Sequence, residues 1–361
     1  MKSPTLLLAV LILFNLIGFG QNSSEKQVFT GYSIRPHYGF VIIHSQDIVA
    51  VKDSYPIGLE IDAFRLNISQ QAWNQCLCSP RAGISIGIWD FNSPDILGYG
   101  INPLVYIEPA FNVKNRLHFS FRGGAGLSLL SRPYDSVKNP NNLSYSTHIA
   151  FSLLAGVQLN YRINNRFSMQ LAANFNHISN SGIKEPNKGI NYPSASIGLT
   201  YFPVDPVFLT YQYVNWDSIP RDKNRLSFHI LATNKQVELK RYYPIVGMGI
   251  QFFHQISRIN AVGGELDLVW HGALDHRART EGMSGDALSF GIGAGNEFLL
   301  GKFLFSQVFG LYIKKPVGLK QDVYQRYTLV YQVGDHFVPG LGLRAHGHVA
   351  DFLDVRLGWR F

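Results

Sequence analysis

His177 and Ser179 stand two residues apart where an alternating stretch gives way to a loop, and between them they hold what acyl transfer by a nucleophile requires: a hydroxyl and a base to take its proton. Ahead of them Phe167, Met169, Leu171, Ala173 and Phe175 alternate with Ser168, Gln170, Ala172, Asn174 and Asn176. A period of two describes a strand with one apolar and one polar face, and carrying the odd parity forward puts His177 and Ser179 on the apolar side. After a loop rich in Gly, Asn and Pro, Pro193, Ala195, Ile197, Leu199 and Tyr201 resume the odd pattern, and extrapolation backwards places Asn191 on the same face. A nucleophile, a base and a group to orient the base can therefore converge at one end of two paired strands.

The elements that must position them are strands of one kind throughout. Leu117, Phe119 and Phe121 oppose His118, Ser120 and Arg122, and Phe151, Leu153, Val157, Leu159 and Tyr161 oppose Ser152, Gly156, Gln158, Asn160 and Arg162. Segments this long exceed the globular norm of about five or six residues and match the roughly ten of a strand that crosses a bilayer. Connections are also asymmetric. Positions 113–116, 164–165, 256–257 and 301 read as tight turns, whereas 131–145, 180–191, 271–285 and 314–324 are longer and polar, as in an outer-membrane barrel. The fold expected is all-β, an antiparallel transmembrane β-barrel of about 14–16 strands, with two tandem eight-stranded barrels as the alternative. A weak echo between the stretches beginning at 150 and 289 supports that alternative.

Composition sets the address. Lys2, an apolar run from Leu6 to Leu16 and Gly-Phe-Gly before Gln21 read as an export signal over residues 1–20, and losing Lys2 lowers the formal charge from +8 to +7. No later stretch has the roughly eighteen uninterrupted apolar residues of a spanning helix. The modest basic excess is spread along the chain without the Lys/Arg blocks of a nucleic-acid binder. Cys76 and Cys78, the only cysteines, are two apart and read as incidental. Leu353, Val355, Leu357 and Trp359 alternate with Asp354, Arg356, Gly358 and Arg360, and the chain ends on Phe361. That ending resembles the C-terminal aromatic signal by which the outer-membrane assembly machinery recognises barrels.

The run His177, Ile178, Ser179, Asn180, Ser181, Gly182, followed by Pro186, Asn187, Lys188, Gly189 and Ile190, resembles the active-site signature of the PagL-type lipid A deacylases. The resemblance implies an outer-membrane barrel esterase that removes the ester-linked 3-hydroxyacyl chain of lipid A without a cofactor or metal. It covers the barrel half at 21–203, leaving 204–361 as further strands. It makes Ser179 the nucleophile and His177 the general base. The family's Glu falls at Asn191, which accepts a hydrogen bond from the imidazole but brings no charge to the imidazolium. Asn180, Gly182 and Asn187 are the candidate oxyanion donors, and Glu185 is a fallback orienter.

Other readings stand beside this one. A non-catalytic channel or structural barrel with a decayed site does not need Ser179, and a phospholipid esterase needs the same serine on a different substrate. Lys184 and Lys188 are placed to meet lipid A phosphates, although solvated loop charges are the commoner explanation. His346, His348 and Asp351 are too few for a convincing metal set. His271 and His276 read as solvated loop residues, and Gly291, Gly293 and Gly295 as small residues on one strand face. Glu60, Asp62, Arg122 and Arg162 read as a polar interior network. A homo-oligomer is compatible with the sequence.

Overall fold

A computed structural model describes residues 27–361 apart from 209, 219–221, 239–240 and 348; the expected export signal and His348 lie outside the described residues. Eight strands, β1 (Val28–Gly39), β2 (Ile57–Asn67), β3 (Ser79–Asp90), β4 (Tyr99–Phe111), β5 (Leu117–Leu130), β6 (Ile149–Arg162), β7 (Phe167–Ser179) and β8 (Ile190–Tyr201), pair antiparallel in chain order. β1 then pairs back onto β8, with Tyr32 beside Tyr201 and Tyr38 beside Ala195, and the sheet closes. Strands β9 (Asn224–Glu238), β10 (Arg241–Gln255), β11 (Asn260–His271), β12 (Leu288–Leu300), β13 (Phe303–Lys314), β14 (Val323–Tyr331), β15 (Phe337–His346) and β16 (Val349–Arg360) close in the same way through β16 and β9.

The all-β antiparallel barrel architecture and the upper strand number hold, and of the two arrangements expected the tandem one is formed: the strands make two barrels of eight and not one barrel of sixteen. The reason is edge pairing. β1 occupies the open edge of β8 before the chain reaches β9, so no free edge is left to extend the first sheet into the second.

Alternation sorts side chains between lipid and lumen as expected. Along β7 Phe167, Met169, Leu171 and Phe175 are exposed, while Ser168, Gln170, Asn174 and Asn176 are buried. Outward aromatics lie near both ends of the strands, Tyr38 and Tyr99 at one and Phe119, Tyr161, Phe167 and Tyr201 at the other, where the polar edges of a bilayer favour amphipathic rings.

An eight-stranded lumen is just wide enough for side chains to fill. Arg35 pairs with Glu60 and Asp62; Arg122 reaches Asp62 at 2.8 Å and Glu60 at 3.0 Å; Arg81 reaches Glu108 at 3.0 Å. Charges so deeply buried persist only when paired, which explains why acids and bases alternate around this ring. Arg162 is not part of it: its guanidinium caps the Val113 and Lys114 carbonyls at the tight-turn end, at 3.3 and 2.6 Å. Above the ring Trp89, Phe91, Tyr145, Ile178, Ile190 and Tyr192 belong to an apolar plug, and below it Phe29, Phe64, Leu66, Tyr106 and Phe202 form another. The second lumen repeats the scheme with Arg326, Arg344 and Arg356 against Glu265, Asp267 and Asp354. There Gly291 and Gly310 leave the space that the Tyr324 ring fills, since a Cβ at either would approach it to 2.4 or 2.2 Å.

Helix α1 (Gln70–Cys76) lies on the tight-turn side, and Leu77, in the left-handed conformation at its end, curls the chain so that Cys76 and Cys78 join in a disulfide. They are thus paired and not incidental. Helix α2 (Gly272–Thr280) occupies the expected loop on the other side, but His271 is buried with its Nε2 3.3 Å from Ser289 Oγ, and His276 stacks on Tyr243. Neither is a solvated loop histidine.

The segment between the barrels folds back on the first. Tyr211 stacks on Trp73 at 4.5 Å, and Gln212 and Gln70 exchange hydrogen bonds. Arg258, in the turn between β10 and β11, donates to the carbonyls of Asn74 and Val214.

Candidate active site

The site stands at the loop end of β7 and β8. Register sets its centre: His177 faces Asn191 directly across the two strands, and its Nδ1 lies 2.6 Å from Asn191 Oδ1. An amide oxygen only accepts, so Nδ1 carries the proton and Nε2 keeps its lone pair. Inside the barrel the even-numbered neighbours Ile178, Ile190 and Tyr192 sit wholly buried in the apolar plug, and they fix the strand ends from behind.

Ser179 has the outward parity of Phe175 but is only 8% exposed, because the following loop folds over it. Its Oγ accepts from Ser181 N at 3.4 Å, and no hydrogen bond joins it to His177 among the described residues. The two meet at Gly189. A Cβ there would stand 3.1 Å from His177 Cε1 and 3.5 Å from Ser179 Cβ, with φ at +76°, so a glycine is what lets the loop pass this close over both.

Loop 180–189 is held by its own polar groups and by loop 131–148. Asn180 Nδ2 donates to Lys184 O at 2.6 Å and to Ser146 Oγ at 3.1 Å, Asn180 N donates to Asn187 Oδ1 at 2.9 Å, and Gly182 N donates to Asn180 Oδ1 at 3.1 Å. Gly189 N and Lys188 N donate to Ser144 O and Leu143 O at 2.8 and 3.0 Å. Of the three oxyanion candidates, Asn180 and Gly182 therefore have their N–H groups engaged, within the loop or with Ser146, whereas Asn187 Nδ2 bonds no described residue. Glu185 makes no hydrogen bond to the imidazole among the described residues and accepts from Asn187 N at 3.0 Å. Gly182 also meets the second barrel, its Cβ direction ending 3.2 Å from Asp351 O.

Lys188 is not a free cation: its Nζ reaches Asp47 at 2.8 Å, which holds the Asp47 carboxyl below its ordinary range and raises the Lys188 ammonium above its own. On the second barrel His346 Nε2 is 3.0 Å from Tyr312 OH and its Nδ1 4.0 Å from Asp351.

One residue at the centre carries no sequence signal. His44, from loop 40–56, places Nδ1 3.3 Å from Asn191 Nδ2 and Nε2 2.9 Å from the Lys188 carbonyl. It lies outside any alternating segment and far from the motif in the chain, so only closure of β1 onto β8 brings it there.

The architecture and the rim site define a class: outer-membrane β-barrels that carry a histidine and a serine beneath a loop at one rim. The family model for lipid A 3-O-deacylase (PagL) matches residues 62–200, and that for the acyloxyacyl hydrolase C-terminal domain matches residues 224–361. The chain belongs to the PagL lipid A deacylase family and is an ester-hydrolysing enzyme of the bacterial outer membrane. A comparison with curated proteins gave no match. Similar solved structures include the Neisserial surface protein A, 9% identical with a TM-score of 0.34 over 50% of this chain and 99% of that one. The outer membrane enzyme PagL is 16% identical with a TM-score of 0.34 over 48% and 99%, and a porin mutant of Rh. blastica is 11% identical with a TM-score of 0.19 over 92% and 100%.

Proposed function

We propose that this enzyme cleaves the ester-linked 3-hydroxyacyl chain of lipid A through Ser179, His177 and Asn191. The observation that carries the reading is the 2.6 Å contact of His177 Nδ1 with Asn191 Oδ1 beside a serine at the lipid-facing rim. With Nδ1 donating to Asn191, the free Nε2 takes the Ser179 proton as Oγ attacks the ester carbonyl, after a side-chain rotation that releases Oγ from Ser181 N. Asn187 Nδ2, not engaged elsewhere, is the donor for the tetrahedral oxyanion. Collapse breaks the acyl–oxygen bond, and the departing lipid A hydroxyl takes the proton from Nε2. Water then attacks the acyl-enzyme, giving its proton to Nε2 and releasing the free 3-hydroxy fatty acid as Ser179 is reprotonated. The acyl chains of the substrate already lie in the outer leaflet beside the apolar face of β7, so the bilayer itself serves as part of the binding site.

Asn191 orients the imidazole without charging its surroundings, so His177 is a weaker base than with a carboxylate partner. The channel alternative is disfavoured by a first lumen filled by paired charges and by an apolar plug at each end. The test is mass spectrometry of lipid A from outer membranes holding the intact protein or Ser179→Ala. Loss of one 3-hydroxyacyl mass only with the serine present is the expected result. Identical spectra from two folded, inserted proteins would overturn the assignment, and loss of an acyl chain from phospholipid instead would move the activity to that substrate.

A further inference from the structure

We infer that His44 is a positioning residue that sets which end of the Asn191 amide faces His177; this rests on the Ser179–His177–Asn191 reading above. An asparagine differs from a carboxylate in having two unlike ends. With Oδ1 toward His177, Nδ1 is protonated and Nε2 is a base; with the amide turned over, Nδ2 would donate to Nδ1 and force the proton onto Nε2, the tautomer unable to accept from serine. His177 accommodates either end, so the choice falls to whatever stands on the far side of the amide.

That group is His44. Its Nε2 lies 2.9 Å from Lys188 O, and a carbonyl only accepts, so in the neutral ring the proton is on Nε2 and Nδ1 is an acceptor. Nδ1 lies 3.3 Å from Asn191 Nδ2 and 3.3 Å from Ile42 O; of these neighbours only the amide has a hydrogen to give. Asn191 Nδ2 therefore points at His44 and Oδ1 at His177, and a relay runs from Lys188 O through the two rings to Nε2. The relay is anchored on both sides. Ile42 N donates to Asn191 O at 2.8 Å, extending the β1–β8 pairing to the strand end, and Lys188 is fixed by Leu143 O and Asp47.

The test measures deacylation kinetics on purified lipid A in mixed micelles for the full-length protein. His44→Phe keeps the bulk and removes the acceptor, and should lower kcat about tenfold at unchanged KM, the population factor that one net hydrogen bond controls. His44→Gln, whose Oε1 accepts, should restore most of it. A carboxylate at position 191 has no wrong end, so in an Asn191→Asp background His44→Phe should have no further effect. Equal losses from Phe and Gln, or the same loss in the Asn191→Asp background, would show a merely structural role and overturn the proposal; full activity of His44→Phe would do the same. Should Asn191→Asp itself be inactive, the Phe and Gln pair decides alone. Ser179→Ala, run in parallel, keeps the outcomes distinct: an active Ser179→Ala refutes the site, whereas an inactive one beside an unaffected His44→Phe refutes only the role of His44.

Discussion

At the scale of single residues, chemistry at this rim depends on which polar atoms the loop leaves unbonded. Asn180 stands next to Ser179, the proposed nucleophile, and is a natural oxyanion donor by position, yet its two side-chain hydrogens are taken by Lys184 O within the same loop and by Ser146 Oγ of loop 131–148. Asn187 is divided: Oδ1 holds Asn180 N, and Nδ2 is free to meet an oxyanion. We expect Asn187→Ala and Asn187→Asp both to reduce kcat by roughly 100-fold, the cost commonly seen when one such donor is lost. Asp keeps the acceptor for Asn180 N, so its barrel should show the same heat-dependent gel shift as the parent protein. A small effect of both changes on kcat would exclude Asn187 as the donor.

At the scale of elements, three loops from distant parts of the chain meet over β7 and β8. The exposed Asp47–Lys188 pair joins loop 40–56 to loop 180–189. Asp47 titrates lower in the folded protein than in the unfolded chain, so its contribution is complete above the ordinary carboxylate range and disappears as pH falls through the depressed value. Lys188 titrates higher, so its side of the pair is lost only as pH rises through the elevated value. The amides of Ile183, Lys184, Glu185, Asn187 and Lys188 should therefore exchange faster, after correction for intrinsic rates, as pH falls below the ordinary carboxylate range. High salt should reduce the protection, as screening of a solvated pair requires, and Asp47→Asn should reproduce the acid behaviour at neutral pH. Unchanged exchange in that variant would show that the backbone bonds to Leu143 and Ser144 hold the loop by themselves.

At the scale of the whole molecule, two closed barrels each carry a ring of buried charges. Arg122 links Asp62 and Glu60 and lies 3.5 Å from the centre of the Tyr106 ring, so Arg122→Ala leaves two buried acids without that cation. The change should destabilise the protein by about 3–5 kcal/mol, read as a lower temperature for the gel shift of the folded barrel. An unchanged transition would mean that water or Arg35 compensates. The second barrel meets the first at Arg258 on one side and at Gly182 on the other, where it backs the loop that covers Ser179.

Period-two alternation is a local property of the chain, and it was enough to establish strand existence, the lipid-facing sides, the loop asymmetry and the convergence of His177 with Asn191, because adjacent strands joined by one hairpin have their pairing set by the residues on either side. The motif around Ser179 was legible for the same reason. Which of the two closures is made was left open, because whether β8 pairs with β1 or with β9 depends on an edge that lies more than 150 residues away in sequence and presents the same backbone groups in either case. Contacts made beyond a single hairpin were equally hidden. His44 reaches Asn191 only across the β1–β8 seam. Arg162 has the alternation of a lumen residue yet caps a turn, since the strand ends there. The outward parity of Ser179 is overruled by a loop whose path is decided by Asn180, Ser146 and Leu143 together. Which residues meet within a hairpin was already written in the order of the chain; which of their polar atoms remain available was settled by the folded barrel, because that depends on partners brought in from its other side.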